Sequence, residues 1–138
     1  MISIGPTAID KANSEIIITD RDACKVYDAH LNEYDGEILY IVLFADYGRL
    51  VLEYLENGKT DKAKTIIDLM EKYISSGDKS LSEAASTGFL ESIDHTISDG
   101  SYTNKLVITN IRNMLGKESL AYCRAYEEFW TKKTEFWK

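Results

Sequence analysis

The sequence predicts an all-α domain, about six helices stacked as antiparallel hairpins into either an α-solenoid or a compact bundle. Apolar residues recur at i, i+3, i+4 and i+7 along most of the chain, which is the spacing of one helical face. Pro6 is the single proline, so nothing after it forbids helix. Short clusters of Gly, Ser, Asn and Asp interrupt the periodic stretches and supply turns. With 138 residues and 44% apolar composition, the chain suits one domain, residues 1–138, able to bury a working core.

Ile16, Ile17 and Ile18 are the best strand candidate, a β-branched run that fits equally well as an extended lead-in or as the first turn of a helix. A first helix is expected from about Asp20 to Tyr34, capped by Thr19, with Val26, Tyr27, His30 and Leu31 on its apolar side. The second, about Gly36 to Glu56, carries Ile41, Phe44, Ala45, Gly48, Val51, Leu52 and Leu55 on one face and should be central. Gly48 lies within that stripe at a cost of roughly 1 kcal/mol against alanine, which suggests a neighbouring helix in close approach. Asn57 and Gly58 end it. Thr60 and Asp61 open a third helix, closed by Ser75, Ser76 and Gly77. A fourth follows from about Lys79, with Gly88 among small residues, and breaks over Ser98 to Ser101. The fifth, Thr103 to Leu115, is ended by Gly116. The last starts near Glu118 with an aromatic stripe of Tyr122, Tyr126, Phe129, Trp130, Phe136 and Trp137.

Charge divides the chain unevenly. The first 57 residues hold eleven carboxylates against four bases, and the remainder is balanced, so the whole net charge of −7 belongs to the front. An acidic field disfavours nucleic acid and anionic membrane and speeds encounter with a cationic protein. The longest apolar run, Ile38 to Ala45, is too short to span a bilayer. No basic start followed by an apolar stretch marks a secretory signal, so a cytoplasmic protein is expected. Cys24 and Cys123 show no CxxC pairing, and free thiols are the default in that compartment.

Catalytic and cofactor signatures are sparse. His30 with Glu33, and His95 with Glu91 and Asp94, put a few ligand types on one helical face, but neither forms Glu-x-x-His and the inward positions of a di-iron site are apolar. Ser86-Thr87-Gly88 is no nucleophile elbow, and no glycine-rich phosphate cradle occurs. The expectation is therefore no enzyme activity, no cofactor and no metal. Basic residues Arg124, Lys132, Lys133 and Lys138 among the C-terminal rings hint at base stacking, but the ring spacing is that of a core face.

The acidic front mixes carboxylates with tyrosines: Asp28, Glu33, Asp35 and Glu37 with Tyr27, Tyr34 and Tyr40, then Asp46, Tyr47, Glu53 and Tyr54 off the main stripe of the second helix. Tyrosine supplies contact area at low entropy cost while carboxylates orient a basic surface. Asp28, Glu33, Asp35, Glu37, Tyr40 and Tyr47 are the residues expected to bind a partner, an ordinary solvated face being the alternative.

Two stretches carry a resemblance. One runs from Phe44-Ala45-Asp46-Tyr47-Gly48 through Leu55-Glu56-Asn57-Gly58 and Ile67-Asp68-Leu69-Met70-Glu71 to Thr87-Gly88-Phe89-Leu90-Glu91. The other is Leu115-Gly116-Lys117-Glu118-Ser119-Leu120-Ala121-Tyr122, continuing to Phe129-Trp130. Over about residues 44–130 the chain resembles small all-helical, HEAT-like bacterial immunity proteins of polymorphic or contact-dependent growth inhibition toxin systems. The resemblance implies a protein that binds and blocks one cognate toxin domain, without catalysis or cofactor. Such toxin domains are often basic nucleases of RNase type, which fits the charge. An α-solenoid adaptor with no toxin partner is the alternative.

Overall fold

The computed structural model describes residues 6–98 and 104–130, and its first helix begins earlier than the sequence spacing suggests. Thr7 caps α1, Ala8–Thr19, through a reciprocal pair: Asp10 N–H donates to Thr7 Oγ1 at 3.2 Å, and Thr7 N–H donates to the Asp10 carboxylate at 3.1 Å. The isoleucine run is thus the end of a helix. Ile16 is buried while Ile18, 84% exposed, faces water, as helical rather than strand geometry divides them. Asp20, not Thr19, separates α1 from α2, Arg21–Glu33. Its extended backbone stops α1 and its side chain accepts from Ala23 N–H at 2.9 Å to start α2.

A turn over residues 34–39 replaces the expected early start of the next helix. Asp35 and Gly36 both have positive φ, +53° and +85°, which no helix tolerates. α3, Tyr40–Glu56, follows, then α4, Thr60–Ile74; Gly58 and Gly77 end them in the left-handed region. Lys79–Glu83, Ala84–Leu90 and Glu91–Ser98 form one rod, α5, whose middle segment is wound as π-helix. α6, Lys105–Met114, is capped by Asn104, and α7 is Lys117–Trp130. The described residues therefore hold seven helices and no strand. The expected break after Ser98, the start at Thr103 and the side chains of Phe129, Trp130, Lys132, Lys133, Phe136, Trp137 and Lys138 lie outside what is described.

α3 is central, as its apolar length predicts: it contacts α2, α4, α5 and α6. Leu43, Phe44, Tyr47 and Val51 are fully buried there, facing Ile66, Ile67 and Met70 of α4 and Phe89 and Ile93 of α5. Each such side chain stabilises the fold by about 1.5–3 kcal/mol through burial. Two glycines make the α3–α5 crossing reciprocal. A Cβ on Gly48 would lie 3.0 Å from Phe89 O, and one on Gly88 would lie 2.7 Å from Ile41 O. The close approach expected at Gly48 is present, and Gly88 is its counterpart. α1 also reaches α4 and α5, and α7 reaches α4 and the π segment. Elements far apart in sequence thus close on one core, giving a compact bundle rather than an open stack in which each unit meets only its neighbours.

Candidate partner-binding surface

Eight of the eleven carboxylates of the acidic front fall into two sets. In the first set the charge is engaged within the fold, largely by tyrosines of α3 and α4. Tyr40 O–H donates to Asp10, and Tyr54 O–H lies 2.7 Å from Asp20 Oδ1 and 2.9 Å from Asp22 Oδ2. Tyr73 O–H donates to Glu15 at 2.6 Å, and Lys72 Nζ reaches the same carboxylate at 2.9 Å. Tyr47 O–H completes the series on the buried amide oxygen of Asn13 at 2.5 Å. A seam of phenol donors therefore fastens the α1–α2 pair to the rest of the bundle.

The electrostatics follow that geometry. Hydrogen bonds from Tyr40 and Thr7 hold the Asp10 carboxyl below its ordinary value; Tyr73 and then Lys72 do so for Glu15, and Tyr54 for Asp22. Burial, followed by the adjoining carboxylates, pushes the phenols of Tyr40, Tyr54 and Tyr73 well above the usual tyrosine range. Those phenols remain donors at any ordinary pH.

Tyr47 is accordingly not a contact residue. It is 0% exposed and packs its ring against Phe44 at 5.5 Å, so a partner cannot touch it. Tyr54 is buried as well. Tyr40 is half-buried with its hydroxyl committed to Asp10, leaving only part of its ring to solvent. The mixture of acid and tyrosine read from the sequence is in large part an internal interface.

The second set is Asp28, Glu33, Asp35 and Glu37. All are exposed, and no side chain among the described residues pairs with them. Three of them lie where α2 ends and its turn begins. The turn itself is held firmly: Gly36 N–H donates to Leu31 O at 2.8 Å and Glu37 N–H to Tyr34 O at 3.0 Å. At its far end Leu39 N–H donates to Nε2 of His30 at 2.9 Å, and the His30 ring sits 4.8 Å from that of Tyr34. His30 is buried, and its Nε2 is spent on this bond.

The residues that carry the resemblance serve other ends. Glu71 of α4 accepts from the N–H groups of Glu118 and Ser119 at 2.8 and 2.9 Å and from Ser119 Oγ at 2.6 Å, capping α7 from outside. Burial raises the Glu71 carboxyl, but these donors outweigh it and leave it below its ordinary value. Gly116 is small because Glu71 passes there: a Cβ would meet Glu71 Cγ at 2.7 Å. Gly88-Phe89-Leu90-Glu91 is the end of the π segment and the first residue after it, and Glu91 accepts from Tyr122 O–H. Burial and Glu91 push that phenol up to about 12. A polar groove of about 330 Å³ opens beside it, bordered by Arg49, Glu91, Ser92, His95 and Tyr126. Ser92 Oγ and Thr96 Oγ1 there are spent on backbone carbonyls, and Arg49 on Asp46. Among the described residues no three His, Cys, Asp or Glu side chains gather as a metal would require, and no helix is long and apolar enough to cross a membrane. Cys24 and Cys123 are not joined in a disulfide.

Comparison with known families adds one match: a profile described as a domain of unknown function, DUF7674, aligns with residues 14–131. The chain belongs to the DUF7674 family. No curated protein and no solved structure matches it. The DUF7674 region takes in the four tyrosines of the seam with Glu15, Asp20 and Asp22, though not Asp10 and Asn13, together with the carboxylate-bearing turn and both resemblance stretches.

Proposed function

We propose that this DUF7674 protein is a non-catalytic immunity protein, which binds a basic toxin domain of nuclease type through Asp28, Glu33, Asp35 and Glu37 at the α2–α3 end. One observation supports the reading above the others. A turn with three of these carboxylates is pinned by its own backbone bonds and by His30, yet among the described residues no side chain pairs with their charges. Stability does not account for that placement, because negative charge at the C-terminal end of a helix opposes the macrodipole. A preorganised acidic edge instead loses little entropy on docking and steers a cationic partner.

The test is co-expression with the toxin domain encoded beside this gene, scored by survival and by co-purification. Survival and a stable complex are expected, and the combination Glu33→Lys, Asp35→Asn and Glu37→Lys should weaken binding at least tenfold while flattening its salt dependence. Unchanged affinity and salt slope would show the wrong surface was chosen. Complex formation with some other protein and no rescue from the toxin would favour the adaptor reading.

A further inference from the structure

The start of α3 is built in a way its position in the core does not require. Leu39 occupies the N-cap position and offers no side-chain acceptor, where a Ser, Thr, Asp or Asn would normally sit. The next turn leaves Ile41 and Val42 exposed by 42% and 37%, although Leu43 and Phe44 beside them are fully buried. Scattered apolar residues on a surface are ordinary. Here the two are neighbours on the wall of a groove of about 430 Å³, which Leu39, Ile9 of α1 and Ala84 of the π segment complete. That volume is at the small end of the ~300–1,000 Å³ of ligand-binding pockets.

Charge frames the groove. Glu83 of α5 lines one side. Glu37 is not in the lining but stands two residues before the lining residue Leu39, in the pinned turn. Both are exposed and unpaired among the described residues. An apolar centre with a charged rim is the anatomy of a protein interface, where a buried anchor gives the affinity and the rim excludes water and sets orientation.

We propose that this groove receives a bulky apolar side chain from a partner segment that carries Lys or Arg on both sides of that anchor, the cations meeting Glu83 and the Glu33–Glu37 turn. The inference rests on the reading of the α2–α3 end as the docking edge and names what docks there. Acidic and purely apolar segments are disfavoured, since each leaves rim carboxylates facing like charge or desolvated without a partner.

Selection of phage-displayed random peptides on the immobilised full chain tests it, with counter-selection on Ile41→Asp. Enriched sequences should contain one large apolar residue flanked by basic ones. As synthetic peptides, measured by fluorescence anisotropy, they should lose at least tenfold in affinity to Ile41→Asp, keep it with Ile41→Leu, and weaken as salt rises. Far-UV circular dichroism of the Ile41→Asp protein should match the parent, and Val42→Ser serves as the second variant if it does not. Basic peptides indifferent to Ile41→Asp and Val42→Ser would overturn the groove while leaving the acidic edge standing. Apolar peptides indifferent to reversal at Glu33 and Glu37 would overturn the basic flanks. A concentration-dependent dimer abolished by Ile41→Asp would assign the groove to a second copy and overturn the proposal. No enrichment at all would overturn it outright.

Discussion

Asp20 and Glu33 stand at opposite ends of the same helix and have opposite fates. Asp20 at the start of α2 is buried, accepts from Ala23 N–H, and receives the Tyr54 hydroxyl. Its charge faces the positive end of the helix and is fully used. Glu33 at the finish is exposed, meets no pairing side chain among the described residues, and is set against the negative end. Formal charge counts both alike. Their surroundings differ in the donors brought to them: Asp20 is met by a backbone N–H and a phenol, and Glu33 by no side-chain donor among the described residues.

The difference is broken most directly at Asp20. Asp20→Ala removes the cap of α2 and takes one of the two carboxylates from the buried Tyr54 hydroxyl, whose remaining acceptor is Asp22. Loss of a cap costs about 0.5–2 kcal/mol and a weakened buried donor adds roughly another 1, so urea unfolding should show a loss of about 1.5–3 kcal/mol. A loss under about 0.5 kcal/mol, the scale of ordinary surface substitutions, would mean that the seam does not hold the α1–α2 pair.

How much of this was legible in the sequence depends on what each helix touches. α4 and α6 each bury one stripe, so their spacing at three and four marks them, whereas α5 is buried on most sides over residues 84–90; Gly58, Gly77 and Gly116 mark the bounds. α3 is surrounded, and its apolar residues extend beyond the stripe to Leu43, Leu50 and Tyr54. A helix apolar on most sides is a buried one. That was the signal that Tyr47 and Tyr54 point inward, and reading their polar tips as a surface mark missed it. α1 was hidden by β-branched Ile16–Ile18, yet Thr7-Ala8-Ile9-Asp10 spells a capping box. The π winding of residues 84–90 had no local signature beyond Gly88. The Leu-Gly-x-Glu-Ser start of α7 had one that required the fold to interpret, because its partner Glu71 is 48 positions from Ser119. The free edge was legible as charge, but only coordinates separate Asp28, Glu33, Asp35 and Glu37 from Asp10, Glu15, Asp20 and Asp22.

A subtler separation comes from acid. Glu15 has its folded pKa held below the ordinary 4.5, first by Tyr73 and then by Lys72. A depressed carboxyl contributes stability that is present above its unfolded pKa and is lost as pH falls through the folded value. Stability should therefore be level from pH 7 to about 5 and decline below the ordinary carboxyl range. Tyr73→Phe should cost about 1 kcal/mol at neutral pH, the net worth of one hydrogen bond, and make the acid decline shallower. Urea midpoints at pH 7, 5, 4 and 3 measure both. On the alkaline side the sign reverses: the raised Tyr73 phenol gives stability that is whole below pH 10 and lost as pH climbs toward its folded value. Acid declines of equal steepness in parent and Tyr73→Phe would detach the seam from the pH response.

The smallest effect is the most telling, because it has the unusual sign. Glu33→Lys places a cation where α2 presents unsatisfied carbonyls, and it removes one of several like charges from the turn. Helix-end charges of this kind contribute about 0.3–1 kcal/mol at low ionic strength, so the variant should unfold at slightly higher urea concentration than the parent. Salt should erase the gain, since the site is exposed and Debye screening acts within about 10 Å at 0.1 M. A residue whose replacement stabilises the free protein yet weakens its complex is held in place by the partner rather than by the fold. If Glu33→Lys were instead destabilising by more than about 1 kcal/mol, Glu33 would have a structural role like that of Asp20. The acidic edge would then be one more part of the internal network, and the distinction between the two ends of α2 would collapse.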